Sequence, residues 1–150
     1  MQIGHINLAP SCNGAGENFV RLIESLQQLG VSQYVLVRNT DLARRLEIIP
    51  DVTVGPVVRS AVTAYCLIPT LDIVHVHEAA AARAGLLLAL TRSVPFVLTH
   101  RHQVQANNRI EQAIYKRAAA IIDDFDADGA RYLRIYKHAA ASWRTSSVML

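Results

Sequence analysis

The chain has 150 residues, of which 51% are hydrophobic and 18% charged, with a formal net charge of +3. This apolar content excludes a disordered chain and is sufficient for one domain around a single core. The lysines and arginines are spread along the sequence, and aromatic residues make up only 6%. Without a clustered basic face with interleaved aromatics, no nucleic-acid partner is predicted.

The cysteines and the apolar stretches bear on the compartment. Cys12 and Cys66 have no metal-site spacing, and the sequence opens without the charged and apolar segments of a signal peptide. The apolar stretch from Ala79 to Leu90 contains Arg83 and is shorter than the roughly 20 residues that a bilayer requires. We therefore expect a cytoplasmic protein, either soluble or peripheral to the inner face of the membrane.

Short apolar runs alternate with amphipathic stretches along the chain. The runs predict six strands, at 3–8, 34–37, 52–54, 72–77, 95–99 and 120–122. Helical spacing predicts a first helix from Glu17 to near Gly30 and a second helix capped by Thr40. Four more helices are predicted over 60–67, 79–91, 110–117 and 130–137. Residues 9–16 are expected to form a loop. A domain over 1–138 is expected to be followed by a loose tail at 139–150.

This alternation fixes the fold class. Strands joined by helical crossovers run parallel, and the helices cover both faces of the sheet. The sequence therefore predicts an α/β fold with a doubly wound, Rossmann-like parallel sheet of about six strands. Ligands of such sheets bind beyond the carboxyl ends of the strands where the strand order reverses, usually between strands one and four.

The first candidate segment follows strand one and reads Asn13-Gly14-Ala15-Gly16-Glu17. Its glycines allow backbone N–H groups to approach a ligand closely at the start of a helix, where the helix dipole favours an anion. The segment therefore predicts a phosphate site. The alternative is that Gly14 and Gly16 only form a tight strand-to-helix turn.

The second candidate segment ends strand four. His75 and His77 point to one face, and Glu78 follows in the turn. We expect His77 to reach the crevice, where an imidazole can hydrogen-bond a sugar hydroxyl or a phosphate. His75 lies one pleat deeper and is predicted to be a hydrogen-bonded core residue.

Strand five brings Thr99-His100-Arg101-His102 to the same edge. Arg101 can bind a phosphate as a fork, and the alternative is a polar loop with a solvated arginine.

The paired histidines on strands four and five also raise the question of a zinc site. No metal is predicted, because a stable site needs a third ligand and the remaining candidates lack a motif.

Together these segments resemble the N-terminal, acceptor-side domain of the retaining glycosyltransferases of GT-B fold, the family 4-like group. The likeness spans about residues 1–122. It rests on five segments: the opening strand Ile3-Gly4-His5-Ile6, the glycine-containing segment 13–17, and the segments 72–77, 95–99 and 118–122.

The resemblance implies a division of roles. In that family the glycine-containing loop lies against the donor diphosphate, and the acceptor binds mainly to this half. It implies His77 and His100 as catalytic candidates, and it leaves open which residue of 99–102 corresponds to the family's cleft histidine. The residues that it implies for the donor phosphate and the acceptor are Gly14, Ala15, Gly16, Glu17, Glu78 and Arg101. The nucleotide sugar is a substrate, so no cofactor is implied. The implied partners are a sugar or glycolipid acceptor, and either a separate donor-domain chain or a second copy of this chain in a homodimer.

Two departures from the family are evident. Asp123-Asp124-Phe125-Asp126 stands where the family has a Val-Ser-like turn. The nucleotide-sugar domain, with its paired glutamates, is expected to follow but does not within these 150 residues. We therefore expect the isolated chain to be inactive or nearly so.

Two other functions compete with this interpretation. Gly14-x-Gly16 after a strand suggests a dinucleotide-binding oxidoreductase domain. Against it, Phe19 occupies the third glycine position, and strand two ends in Arg38-Asn39 without the acidic residue that binds the ribose. The second alternative is a non-enzymatic partner or regulatory domain, or the product of a truncated gene.

Overall fold

A computed structural model describes residues 1–11, 14–100, 108–127, 130–139 and 142–149, and side chains as far as Ile122 except those of Ala15 and His100. The predicted residues Asn13, Arg101 and His102 lie outside these ranges. In chain order the elements are β1 Gln2–Asn7, α1 Gly14–Gln28, β2 Ser32–Val37, α2 Thr40–Glu47, β3 Val52–Val54, α3 Ala61–Leu67, β4 Ile73–His77, α4 Ala79–Thr91, β5 Phe96–His100, α5 Arg109–Arg117, β6 Ala120–Ala127, β7 Ala130–Ala139 and β8 Ser142–Met149.

All eight strands form one sheet, in the order β3-β2-β1-β4-β5-β6-β7-β8. The first six strands of the chain, β1 to β6, pair in parallel. At the β6 edge, β7 pairs with β6 and β8 pairs with β7, both in antiparallel orientation. The predicted α/β fold with a doubly wound sheet of six parallel strands is thus confirmed. The strand order reverses between β1 and β4, which places the expected crevice there.

Two apolar clusters cover the two faces of the sheet. On one face α1 and α2 pack on β2, with Phe19, Ile23, Val35 and Leu46 in the core. On the other face α3, α4 and α5 pack on the central strands. The apolar stripe of α1, read from residues 19 to 26, predicted its buried side because helical residues at i, i+3, i+4 and i+7 share a face.

Two helix starts differ from the predictions. Helix α1 begins at Gly14, so Gly14 and Gly16 lie in its first turn and the loop after β1 is shorter than predicted. Helix α2 is capped by Asn39 and not by Thr40, because Asn39 is extended and its Oδ1 accepts a hydrogen bond of 2.9 Å from the N–H of Leu42.

The largest correction concerns the end of the chain. The helix predicted around 130–137 is wrong: this segment is β7, which pairs with β6, and β8 occupies most of the segment predicted as a loose tail. Asp-Gly at 128–129 separates the paired residues Ala127 and Ala130, and this dipeptide is typical of a two-residue hairpin. Tyr132, Ile135 and Tyr136 also favour a strand.

Helix length and hydropathy bear on membrane insertion. Among the residues that the structure describes, no helix combines the length and apolar character that crossing a membrane requires.

Candidate functional site

The candidate crevice lies at the carboxyl ends of β1 and β4. These strands are neighbours, with Asn7 in register with His77. Helix α1 follows β1 and helix α4 follows β4, so the amino-terminal ends of both helices lie at this edge of the sheet. Both helix dipoles favour an anion here, because the first turns carry N–H groups without intrahelical acceptors.

Glu78 connects β4 to α4 in a strained conformation. Its φ of 80° and ψ of 160° fall in a region that is otherwise reserved for glycine and that costs about 1–3 kcal/mol. Its N–H donates to the carbonyl of Thr99 at 3.0 Å, and its side chain makes no cap hydrogen bond to α4. Backbone strain of this kind concentrates at functional sites, so it adds weight to the predicted role of this edge.

Three histidines form a cluster beside the crevice, here called the histidine cluster: His5 on β1 and His75 and His77 on β4. His5 Nδ1 lies 3.3 Å from His77 Nε2, and the His75 and His77 ring centroids are 3.9 Å apart. Phe19 of α1 covers the cluster, with its ring centroid 4.6 Å from that of His77 in an edge arrangement. The face of the sheet beneath the start of α1 is therefore imidazole-rich.

Burial keeps two of these imidazoles neutral. Desolvation, with a contribution from His75, lowers the pKa of His5 from 6.5 to about 3, while a hydrogen-bonding contribution from Gln33 opposes the shift. Desolvation also lowers the pKa of His75 from 6.5 to about 4. His75 Nε2 lies 2.6 Å from the hydroxyl of Thr99, as expected for a hydrogen-bonded histidine one pleat deeper than His77.

His5 was missed as a candidate by sequence reasoning, which treated it only as part of the opening strand. It is fully buried and in register with His75. The sequence did contain a usable sign. Once strands one and four are taken as neighbours, residues 5 and 75 lie at equivalent depths on the same face.

The remaining predicted residues are placed as follows. The Glu17 carboxylate forms a two-point pair with Arg45 of α2, at 2.6 and 3.0 Å, and hydrogen bonding to this guanidinium lowers its pKa. Gly14 has open space where a Cβ would stand. Ala15 and Gly16 lie in the first turn of α1, and the backbone of His100 pairs with Asp123 at the end of β5. Arg101 lies outside the described residues.

The opposite face of the sheet carries a cavity of about 680 Å³ between α3, α4 and α5. Its wall includes Ala79, which directly follows Glu78, together with Leu98 and Tyr115. Most of the lining is apolar, with Arg83 and Glu111 among the charged residues. This volume lies within the range of roughly 300–1,000 Å³ that small-molecule sites occupy.

The arrangement argues against a dinucleotide turn. Phe19, in the position of the third glycine, is 3% exposed and packs on His77. A dinucleotide fold needs a glycine there so that helix and strand approach closely. At the end of β2, Asn39 Nδ2 donates to the carbonyl of Pro10, which leaves an amide and no carboxylate at the ribose position.

Comparison with known proteins gives no family assignment. No protein-family model and no curated protein matches this sequence.

Proposed function

We propose that this chain is the acceptor-side half of a nucleotide-sugar-dependent retaining glycosyltransferase, acting together with a donor domain. The observation that carries the proposal is the meeting of the α1 and α4 amino-terminal ends with His77 at the β1–β4 switch point. Such a crevice suits a diphosphate, because N–H groups and dipoles from two helices favour negative charge.

The cavity between α3, α4 and α5 supports a place for the acceptor. Its apolar wall suits the lipid or ring face of a glycolipid, and the wall includes Ala79, the residue after Glu78. A glycolipid acceptor would also bring the chain to the cytoplasmic surface of a membrane as a peripheral protein.

Catalysis by this half alone is not expected. Departure of a diphosphate needs positioned donors on its far side as well, and this half supplies only one wall of the crevice. The purified chain should therefore neither hydrolyse nor transfer from nucleotide sugars. Turnover at ordinary enzyme rates, about 1 s⁻¹ or faster, would contradict the proposed division of the active site.

A binding experiment tests the proposal directly. Nucleoside diphosphate sugars, inorganic pyrophosphate and NADH are titrated into the isotopically labelled chain and followed by NMR. The sugar nucleotides and pyrophosphate should bind weakly and shift the amide signals of Gly14, Gly16 and residues 78–81.

Gly14→Ala should weaken this binding about tenfold, because its methyl group would occupy open space at the start of α1, where the proposal places the diphosphate. Gly30→Asn is the matched control. Gly30 lies at the amino-terminal edge of the sheet with a φ of 71°, which asparagine tolerates. Tight binding of NADH alone, or no shift at either helix start, would remove the proposal.

A further inference from the structure

We propose that the histidine cluster is a binding site for a divalent transition-metal ion, with zinc as the best match. His5, His75 and His77 each offer one ring nitrogen, and these three atoms lie within 4.8 Å of one another. The inference stands apart from the proposed sugar transfer, because it uses only the three imidazoles and the residues that orient them.

The spacing of two ligand atoms already fits zinc. Nitrogens bound to one tetrahedral zinc at about 2.0–2.1 Å lie about 3.3–3.4 Å apart. His5 Nδ1 and His77 Nε2 are separated by 3.3 Å in a hydrogen bond, and metal binding would replace this bond by moving its proton to the other ring nitrogen. The nitrogen of His75 needs to approach by at most about 1.5 Å.

The ligand type also fits a transition-metal ion. Imidazole is the ligand that suits zinc, copper and nickel, whereas magnesium and calcium prefer oxygen. Three imidazoles with a fourth position left to water match the ligand number of open zinc sites.

Neighbouring polar groups can orient the ligands. The Thr99 hydroxyl holds the His75 ring at 2.6 Å. His5 Nε2 and Gln33 Oε1 are both buried and, within the described residues, have no well-formed hydrogen bond. With the metal on Nδ1, the proton of His5 resides on Nε2, and Gln33, whose Nε2 donates to the carbonyl of Ile23, has its Oε1 left as a buried acceptor. The ion would enter at His77, which is 8% exposed at the edge of the sheet.

The site is tested with zinc and with cobalt as a spectroscopic substitute. The chain is purified without a histidine tag, stripped with a chelator and dialysed against Zn²⁺ at neutral pH. We expect about one ion per chain. Co²⁺ should give the strong visible absorption of four-coordinate cobalt in the wild-type protein.

His77→Gln and His75→Gln should weaken zinc binding by at least about 100-fold, since even changes to orienting residues cost about 10- to 100-fold. Thr99→Val, which changes only an orienting residue, should weaken zinc binding by about 10- to 100-fold. His138→Gln is the matched control and should bind like the wild type. His138 lies on β7, three strands from β4 and thus about 14 Å away along the sheet.

Circular dichroism establishes that each variant is folded. If the cluster variants unfold, the cobalt spectrum of the wild type tests the site alone. Weak absorption, as given by six-coordinate cobalt, would exclude binding by these three histidines in a four-coordinate site. Substoichiometric zinc, or equal binding by wild type and folded His77→Gln, would overturn the site. So would a loss of binding in His138→Gln as large as that in the cluster variants.

Discussion

Acidification should destabilise this protein through its buried histidines well before its carboxylates titrate. His5 and His75 have folded-state pKa values of about 3 and about 4, against 6.5 when unfolded. Because the unfolded chain binds protons more readily, their contribution to stability is complete above pH 6.5. It is lost as the pH falls below 6.5 towards these folded values.

The size of the loss follows from linkage. Between about pH 7.5 and about pH 5, each of these histidines lowers the free energy of unfolding by about 2 kcal/mol, or about 4 kcal/mol together. This is a large share of the 5–15 kcal/mol that is typical of a folded domain. Most carboxylates remain ionised over this interval, so the histidines dominate the slope.

The assay is urea unfolding followed by far-UV circular dichroism at both pH values, with a chelator present throughout. His75→Gln removes one of the two groups and should reduce the pH-dependent loss to about 2 kcal/mol. A change below about 1 kcal/mol in the wild type would show that the imidazoles are not held neutral. Equal losses in wild type and variant would show that His75 is not one of the responsible groups.

Three substitutions, at the start of α1, before α4 and within α4, test the backbone by urea unfolding. Glu78→Gly should raise the free energy of unfolding by about 1 kcal/mol, because glycine tolerates a φ of 80°; a lower value would mean that the conformation is not strained. Gly85→Ala should cost about 1–2 kcal/mol, because its Cβ would lie 2.7 Å from the buried ring of Phe96. Gly14→Ala is the same exchange with open space around the Cβ, and it should leave stability unchanged or raise it by up to about 1 kcal/mol. Equal effects at Gly85 and Gly14 would contradict the packing described for α4.

The parallel part of the fold could be predicted from the sequence because local pattern and tertiary environment agree there. Helix α4 and strand β3 have the predicted bounds, Ala79–Thr91 and Val52–Val54. The hairpin that includes β7 was missed, since Tyr132, Leu133 and Tyr136 also fit a helical spacing. The dipeptide Asp-Gly at 128–129 was the local evidence against a helix.

The candidate site was predictable only in part. Strand-end positions led to His77 and Glu78, because the carboxyl ends of parallel strands are known ligand edges. The role of His5 depends on pairing between residues 70 positions apart, and that pairing becomes visible only once the strand order is known. The Glu17–Arg45 pair likewise joins two helices, and no local pattern identifies it.

The central place of β1 also determines when this sheet can be completed during synthesis. β1 bonds β2 on one side, close in sequence, but its other side waits for β4, about 70 residues later. Closing so long a segment carries an entropic cost before any contact repays it. A nascent chain that stops short of β4 therefore presents one bare side of β1, a surface on which other chains can add a strand.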